Sequence, residues 1–160
     1  MTPSSDATAG PAEALGPLIL AVDHVGIAVP DLDAAIAFHC DVLGHRLAHE
    51  ETNHEQGVRE AMIAVGPAEP HGGDGMTMIQ LLAPTGPDST IAKFIDRSGP
   101  GLQQLAYRVQ DIEAASHVLR ERGLRLLYDE PRRGTAGSRI NFIHPKDAGG
   151  VLVELVEPAR

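Results

Sequence analysis

Apolar and polar positions alternate in several short segments of the chain, and these segments predict β-strands. In GLQQLAYRV (101–109), Leu105 and Val109 share one parity and Gln104 falls on the other. Gln103 and Gln104 open this strand, although glutamine is a poor strand former and a buried amide needs hydrogen-bond partners. The strand therefore carries a polar feature that packing alone does not explain.

The pattern of a strand followed by a helix occurs twice. VDHVGIAVPDLDAAIAFHCDVLGHRL (22–47) matches LQQLAYRVQDIEAASHVLRERGLRLL (102–127) at an offset of 80, which places His24 over Gln104. Each copy reads as a strand, an Asp at a helix start, an amphipathic helix, a Gly stop and another strand. Internal repeats of this size set the architecture of a protein.

A second pair of segments completes each copy. MTMIQLLAP (76–84) matches GVLVELVEP (150–158) at an offset of 74, which places Gln80 over Glu154. The intervening chain leaves room for two more strands in each copy, at 47–51 and 58–65, and at 125–128 and 139–144. The sequence therefore predicts two tandem βαβββ modules, at about 21–84 and 100–158.

Four polar residues interrupt apolar strands at positions that the repeat relates to each other. A single polar residue in a strand is usually a satisfied core or edge group, and a buried carboxylate in VLVELV is costly unless it is paired, protonated or bound to a cation. Repeated positions with metal-binding or hydrogen-bonding side chains instead predict one shared site between the modules. The four residues are His24, Gln80, Gln104 and Glu154.

Composition narrows the classes of partner. Of 160 residues, 42% are hydrophobic and 22% charged, as in soluble globular proteins, and the net charge of −9 disfavours nucleic acid and anionic membranes as partners.

The cysteine content and the N-terminal composition bear on location and domain bounds. Cys40 is the one cysteine, so no internal disulfide forms, and its helical surroundings predict a packing role. The sequence contains no run of 18 apolar residues, and residues 1–18 read as a disordered tail before a single domain at 19–160. We expect a cytoplasmic protein.

The matching segments carry a family resemblance. DHVGIAVPDLDAAIAFH, GVREAM, DSTIAKFIDRSGPGLQQLAYRV and SRINFIHPKDAGGVLVEL resemble the methylmalonyl-CoA epimerase family of the vicinal oxygen chelate superfamily, and the resemblance covers nearly all of residues 21–158. It implies an α+β, glyoxalase-like fold, in which the two modules form a curved eight-stranded mixed sheet with a central cleft. It also implies a homodimer that interconverts (2R)- and (2S)-methylmalonyl-CoA by metal-assisted removal and return of the α-proton.

The resemblance implies one divalent metal ion held by four side chains. These ligands would be His24, Gln80, Gln104 and Glu154, with Gln104 standing where the family usually has a histidine. The family resemblance favours Co²⁺, while the oxygen donors favour harder ions such as Mn²⁺, and Zn²⁺ stays open. A metal-free site, in which Gln104 hydrogen-bonds the substrate directly, is the alternative.

Two carboxylates are candidates for proton transfer. Glu60 in GVREAM matches the catalytic glutamate of the family, and at an offset of 78 its counterpart is Ser138, so the repeat does not preserve this carboxylate. The other interpretation of Glu60 is a solvated residue in the charged segment HEETNHEQGVRE. Glu154 is the second candidate base, although a metal-bound carboxylate is a weaker base.

Basic residues supply candidates for contact with the phosphates of coenzyme A or the substrate carboxylate. Ordinary surface cations are the other interpretation of each. We predict substrate contacts for Lys93, Arg139 and Lys146, and note Arg132 and Arg133 in the Gly-rich segment PRRGTAGSR.

Three rival activities exist for this fold. A non-haem Fe(II) dioxygenase needs two histidines and a carboxylate, and His24 is the one histidine among the four positions. A glyoxalase-type isomerase is disfavoured by Gln80 and by GVREAM. A non-catalytic small-molecule binding protein would need aromatic side chains for stacking, and the chain has no Trp, two Tyr and three Phe.

Overall fold

A computed structural model describes residues 15–66 and 77–160. Most of the predicted N-terminal tail and Met76 of the predicted strand 76–84 lie outside these residues, so the tail stays a prediction. Within residues 15–18, Gly16–Leu18 form a short 3₁₀-helix, and Leu15 and Leu18 pack against the core of the second module.

Eight strands form one sheet in the order β2-β3-β4-β1-β5-β8-β7-β6. The strands are β1 Ile19–Ala28, β2 Arg46–Asn53, β3 Val58–Ala64, β4 Met78–Pro84, β5 Gly101–Val109, β6 Arg132–Arg133, β7 Arg139–Ile143 and β8 Leu152–Glu157. The helices are α1 Leu32–Ala37, which continues as a π-helix over Phe38–Val42, α2 Thr90–Ser98 and α3 Ile112–Glu121.

The sheet repeats one pairing scheme in each module. In the first module β1 pairs in parallel with β4, and in the second β5 pairs in parallel with β8. The two modules meet where β1 and β5 run antiparallel at the centre of the sheet. The predicted α+β class and the eight-stranded mixed sheet of two βαβββ modules are therefore confirmed.

Helices α1 and α3 begin where the sequence signals predict. Asp31 and Asp111 cap α1 and α3 by accepting hydrogen bonds from the backbone N–H groups of Ala34 and Ala114, at 3.0 and 2.9 Å. Helix α2 was not predicted, although Ser89 caps its start by accepting from the N–H of Ala92 at 3.1 Å.

Helices α1 and α3 cover one face of the sheet, and the opposite face lines the cleft, where α2 packs against Val58 and Leu82. Along β3, Ala61 and Ile63 pack in one core cluster with Leu32 at the start of α1. Glu60 and Met62 have the other parity and face away from that helix. The alternation of β3 therefore places a carboxylate on the cleft side of a strand that is buried along most of its length.

The strand predicted at 125–128 is largely absent. Leu126 makes an isolated bridge to Ile143, and the ladder at the edge of the sheet is formed instead by Arg132–Arg133. Pro131 lies between these segments, and a proline has no N–H to donate to a strand ladder.

Candidate active site

The four polar residues of the repeat lie on four adjacent strands. The pairing register places Gln80 and Gln104 on either side of Gly26, and His24 and Glu154 on either side of Ala106. His24, Gln80 and Glu154 are each less than 5% exposed. The structure therefore brings together the four residues that the repeat singled out.

Gly26 makes room for this cluster. A Cβ atom at Gly26 would lie 2.4 Å from Cγ and 3.0 Å from Cδ of Gln104, far inside van der Waals contact. The side chain of Gln104 thus crosses directly over the backbone of β1, which only a residue without a Cβ permits at this position.

Three polar side chains converge on the amide nitrogen of Gln104. Its Nε2 lies 2.9 Å from Oε1 of Gln80, 2.6 Å from Oε2 of Glu154 and 3.4 Å from Nε2 of His24. An amide nitrogen carries two hydrogens, which the oxygens of Gln80 and Glu154 can accept, so the imidazole of His24 approaches the same point without a hydrogen bond from this amide. A rotated Gln104 amide would add its own oxygen, and this set of one imidazole and three oxygens fits a divalent cation.

His24 is oriented by a partly buried chain of ion pairs. Its Nδ1 lies 2.8 Å from Oδ2 of Asp23, whose Oδ1 accepts from Nε of Arg108 at 2.8 Å. Nε2 of His24 therefore points to Glu154, 3.2 Å away, as expected of a metal-binding histidine. Burial lowers the pKa of His24, but the hydrogen bonds to Asp23 and Glu154 outweigh it and raise the pKa to about 9.

Glu60 is buried beside the four-residue cluster rather than solvated on the surface. It is 4% exposed, its Oε2 accepts from Nε2 of Gln80 at 3.0 Å, and its Oε1 accepts from the hydroxyl of Thr135 at 2.7 Å. Burial and the nearby carboxylates of Glu51 and Glu154 raise its pKa to about 7, against the opposing effect of the Thr135 hydrogen bond. Such a carboxyl group can exchange a proton near neutral pH.

A chain of hydrogen-bonded side chains crosses the cleft, with a carboxylate at each end. Gln80 donates to Glu60 and accepts from Gln104, which in turn donates to Glu154. Glu60 and Glu154 both line a cavity of about 550 Å³, separated along the chain by the two amides. A ligand in this cavity would meet one carboxyl group at each end.

Sequence reasoning missed the role of Thr135. This residue lies in the 3₁₀ turn Thr135–Gly137 between β6 and β7, and its hydroxyl accepts from Nε2 of Gln80 at 2.8 Å while donating to Glu60. Gly134 permits the turn, since a Cβ there would lie 2.5 Å from Cγ2 of Ile140. The segment PRRGTAGSR was singled out for its arginines, and nothing in its pattern marked the threonine.

The repeat also equated Glu60 with the wrong residue. Glu60 pairs with Leu82 in the first module, and the residue with the corresponding pairing in the second is Ile140, opposite Val156. The counterpart is therefore Ile140 rather than Ser138, because the third strands follow the offset of 80. The conclusion that the second module lacks this carboxylate is unchanged.

The predicted substrate-binding cations lie away from the described cavity wall. Lys93 on α2 and Lys146 in the turn Pro145–Asp147 are exposed, and Arg139 forms a double hydrogen bond with Glu113 on α3. None of the three is among the described residues that line the cavity. Arg132 does line it, with its guanidinium carbon 4.0 Å from the centre of the Tyr128 ring.

An acidic cluster outside the cleft serves the fold. Asp111 caps α3, Glu157 accepts from the N–H of Ile112 at 2.9 Å, and Glu113 pairs with Arg139. Each carboxylate thus has a structural partner, and the predicted metal ligands lie in the separate cluster around Gln104.

Residues 23–142 match the sequence profile of the glyoxalase/bleomycin resistance protein/dioxygenase superfamily. The chain belongs to this superfamily. It is 39% identical to the ethylmalonyl-CoA/methylmalonyl-CoA epimerase of Cereibacter sphaeroides, over 84% of this chain and 95% of that protein. The family resemblance found in the sequence is confirmed.

Solved structures of relatives share the fold. Methylmalonyl-CoA epimerase from Mycobacterium tuberculosis is 58% identical, with a TM-score of 0.82 over 89% of this chain and 91% of that one. A variant of the Streptomyces coelicolor methylmalonyl-CoA epimerase, in complex with 2-nitronate-propionyl-CoA, is 44% identical, with a TM-score of 0.82 over 89% and 99% of the two chains. Within the described part of this chain, no helix has the length and apolar character needed to cross a membrane.

Proposed function

We propose that this protein is a methylmalonyl-CoA epimerase in which Glu60 and Glu154 move the α-proton between the two faces of the substrate. The observation that carries the proposal is the pair of buried carboxyl groups at the two ends of the Gln80–Gln104 chain, in the wall of one cavity. Inversion of a carbon centre by proton transfer needs one acid or base on each face of a planar intermediate.

Glu60 is the base in one direction. Its pKa of about 7 leaves a substantial share ionised at neutral pH and gives the carboxylate a higher proton affinity than an exposed glutamate has. The hydroxyl of Thr135 holds Oε1, and the amide of Gln80 holds Oε2. Both contacts fix the carboxylate so that it faces the substrate without a search through rotamers.

Removal of the α-proton leaves an enolate, with negative charge on the thioester oxygen. A divalent metal held by His24, Gln80, Gln104 and Glu154 would supply Lewis-acid stabilisation of that charge. Co²⁺, Mn²⁺ and Zn²⁺ are the candidate ions. Asp23 keeps Nε2 of His24 directed into the cluster, and the backbone of Gly26 leaves the space that the Gln104 side chain occupies.

Glu154 returns a proton from the other side. It lies at the far end of the amide chain from Glu60, and hydrogen bonds to Gln104 and His24 orient its carboxylate. A metal-bound carboxylate is a weaker base than a free one, so its part in proton transfer needs a separate test from its part in binding.

We propose methylmalonyl-CoA as the substrate. Ethylmalonyl-CoA, whose acyl group is one methylene longer, is a second candidate because the Cereibacter sphaeroides relative is named for both substrates. One methylene in an apolar pocket is worth only about 1–3 kcal/mol.

Several features remain predictions. They are the substrate contacts by Lys93, Arg139 and Lys146, the homodimer, the cytoplasmic location, and the absence of nucleic-acid and membrane partners. Arg132 is a further candidate, since it already lines the cavity.

Deuterium wash-in tests the proposal directly. The metal-loaded protein is incubated with methylmalonyl-CoA in D₂O, and loss of the C2–H signal is followed by NMR. We expect fast exchange in the wild type and, for the epimer whose α-proton faces Glu60, a loss of at least about 10²-fold in Glu60→Gln. The control Glu121→Gln, on the exposed end of α3, should exchange like the wild type.

The Glu154→Gln variant separates two roles. If it exchanges deuterium but no longer interconverts the two epimers, Glu154 is the second acid. If wild-type protein shows no exchange with Co²⁺, Mn²⁺ or Zn²⁺, the proposal is wrong. A glyoxalase-type isomerase or a non-catalytic binding protein is then the better interpretation.

A further inference from the structure

The Thr135–Gly137 turn sets the position of the candidate base. The hydroxyl of Thr135 donates to Oε1 of Glu60 at 2.7 Å and accepts from Gln80 at 2.8 Å. This turn belongs to the second module, whereas Glu60 and Gln80 belong to the first. A shift of the turn would therefore displace the Thr135 hydroxyl from the carboxylate of Glu60.

The turn is not fixed by its own hydrogen bonds alone. Within it, Ser138 donates its N–H to the carbonyl of Thr135 at 3.1 Å, and Gly134 donates to Ser138 at 2.9 Å. Ala136 between them has φ +53° and ψ +34°, and it is the one non-glycine residue with positive φ in the described chain. A strained backbone of this kind persists only where its surroundings hold it in place.

Glu51 holds the backbone of this turn at Ala136. Its Oε2 accepts the backbone N–H of Ala136 at 3.1 Å, and this bond joins β2 of the first module to the turn of the second. Glu51 lies directly opposite Glu60 in the β2–β3 pairing, and its carboxylate also contacts His49 two residues earlier. Its side chain is 21% exposed and it does not line the described substrate cavity.

We propose that Glu51 is a positioning residue for the epimerase reaction, acting on Glu60 through the N–H of Ala136 and the hydroxyl of Thr135. The inference rests on the proposed function, in which Glu60 removes the α-proton. Among the described residues, Glu51 does not line the substrate cavity or contact the four-residue cluster, although its carboxylate lies beside that of Glu60. Its loss therefore leaves substrate binding intact and disturbs the base.

Two substitutions at one position separate positioning from charge. Glu51→Gln keeps an oxygen that accepts from Ala136 but removes the negative charge, whereas Glu51→Ala removes both. Glu50→Ala is the matched control, because Glu50 is the neighbouring strand residue and its carboxylate pairs on the surface with Arg59.

The kinetic expectation is a split between kcat and KM. Glu51→Ala should lower kcat by about 10–100-fold, the usual effect of losing a group that orients an active-site residue, with KM close to wild type. At pH 8.5, where Glu60 is ionised with or without the neighbouring Glu51 charge, Glu51→Gln should recover most of kcat, and Glu50→Ala should match the wild type. The positioning role is refuted if kcat of Glu51→Ala is unchanged, or if Glu51→Gln loses as much kcat as Glu51→Ala.

A second measurement does not depend on catalysis. In ¹⁵N-labelled protein, the amide proton of Ala136 should move upfield and exchange faster with D₂O in Glu51→Ala, and should stay near its wild-type position in Glu51→Gln. An unchanged Ala136 amide in Glu51→Ala overturns the proposal. If the wild type itself fails to exchange the substrate proton, the proposed function fails, and the amide signal still decides whether Glu51 anchors the turn.

Discussion

The stability of the protein should depend on pH through Glu60. Its pKa rises from 4.5 to about 7 on folding, chiefly because the carboxyl group is buried and Glu51 and Glu154 lie near. A raised pKa means that the folded state binds the proton more tightly than the unfolded state. The stabilisation is therefore complete below pH 4.5 and is lost as the pH rises through 7.

The size of the effect follows from the shift. A difference of about 2.5 pKa units corresponds to about 3 kcal/mol, most of it lost between pH 5 and pH 8.5. Glu60→Gln keeps the volume of the side chain and cannot ionise. It retains one oxygen for Gln80 or Thr135 and loses the other acceptor, at a cost of about 1 kcal/mol.

The lost acceptor destabilises Glu60→Gln at every pH, whereas ionisation of Glu60 destabilises the wild type only as the pH rises. Glu60→Gln should be about as stable as the wild type at pH 5 and about 2 kcal/mol more stable at pH 8.5. Urea denaturation of chelator-treated protein at both pH values measures the difference, with Glu121→Gln as the exposed control. The same ionisation that destabilises the wild type forms the base, so the more stable variant should be the inactive one.

One result would refute the reasoning about this group. If the stability difference between Glu60→Gln and the wild type is the same at pH 5 and pH 8.5, Glu60 titrates in the folded protein as it does in the unfolded chain. Glu60 would then have no raised proton affinity, and the proposed base would lose its physical support.

Two further predictions concern the residues behind the metal site. Gly26→Ala should displace the Gln104 side chain, because the new Cβ would lie 2.4 Å from its Cγ, and Co²⁺ affinity measured by calorimetry should fall about 10–100-fold. Gly16→Ala, with no atom within 4 Å of its added Cβ, is the control, and equal affinity in both variants would contradict the crowding argument. Asp23→Asn should weaken Co²⁺ binding by a similar factor and lower the pKa of His24 from about 9 in the metal-free protein, since it removes the carboxylate at Nδ1. If the imidazole of His24 titrates in Asp23→Asn as it does in the wild type, measured by NMR, Asp23 does not set the protonation state of His24.

The local pattern of the chain already contained the modules and the centre of the site. Alternation of apolar and polar residues predicted the strands, and the repeat placed His24, Gln80, Gln104 and Glu154 at related positions. This succeeded because parity and pairing register are properties of short segments, so polar residues that interrupt symmetry-related strands must meet where those strands pair.

Tertiary structure alone decided the rest of the site. Thr135 and Ala136 reach Glu60 and Glu51 from the other module, and no local period relates a turn at residue 135 to strands that end by residue 64. The predicted cations show the same limit, since Arg139 turns out to pair with Glu113 on α3. A strand pattern determines which face a residue takes, while the docking of turns and the pairing of long charged side chains depend on how the two modules join.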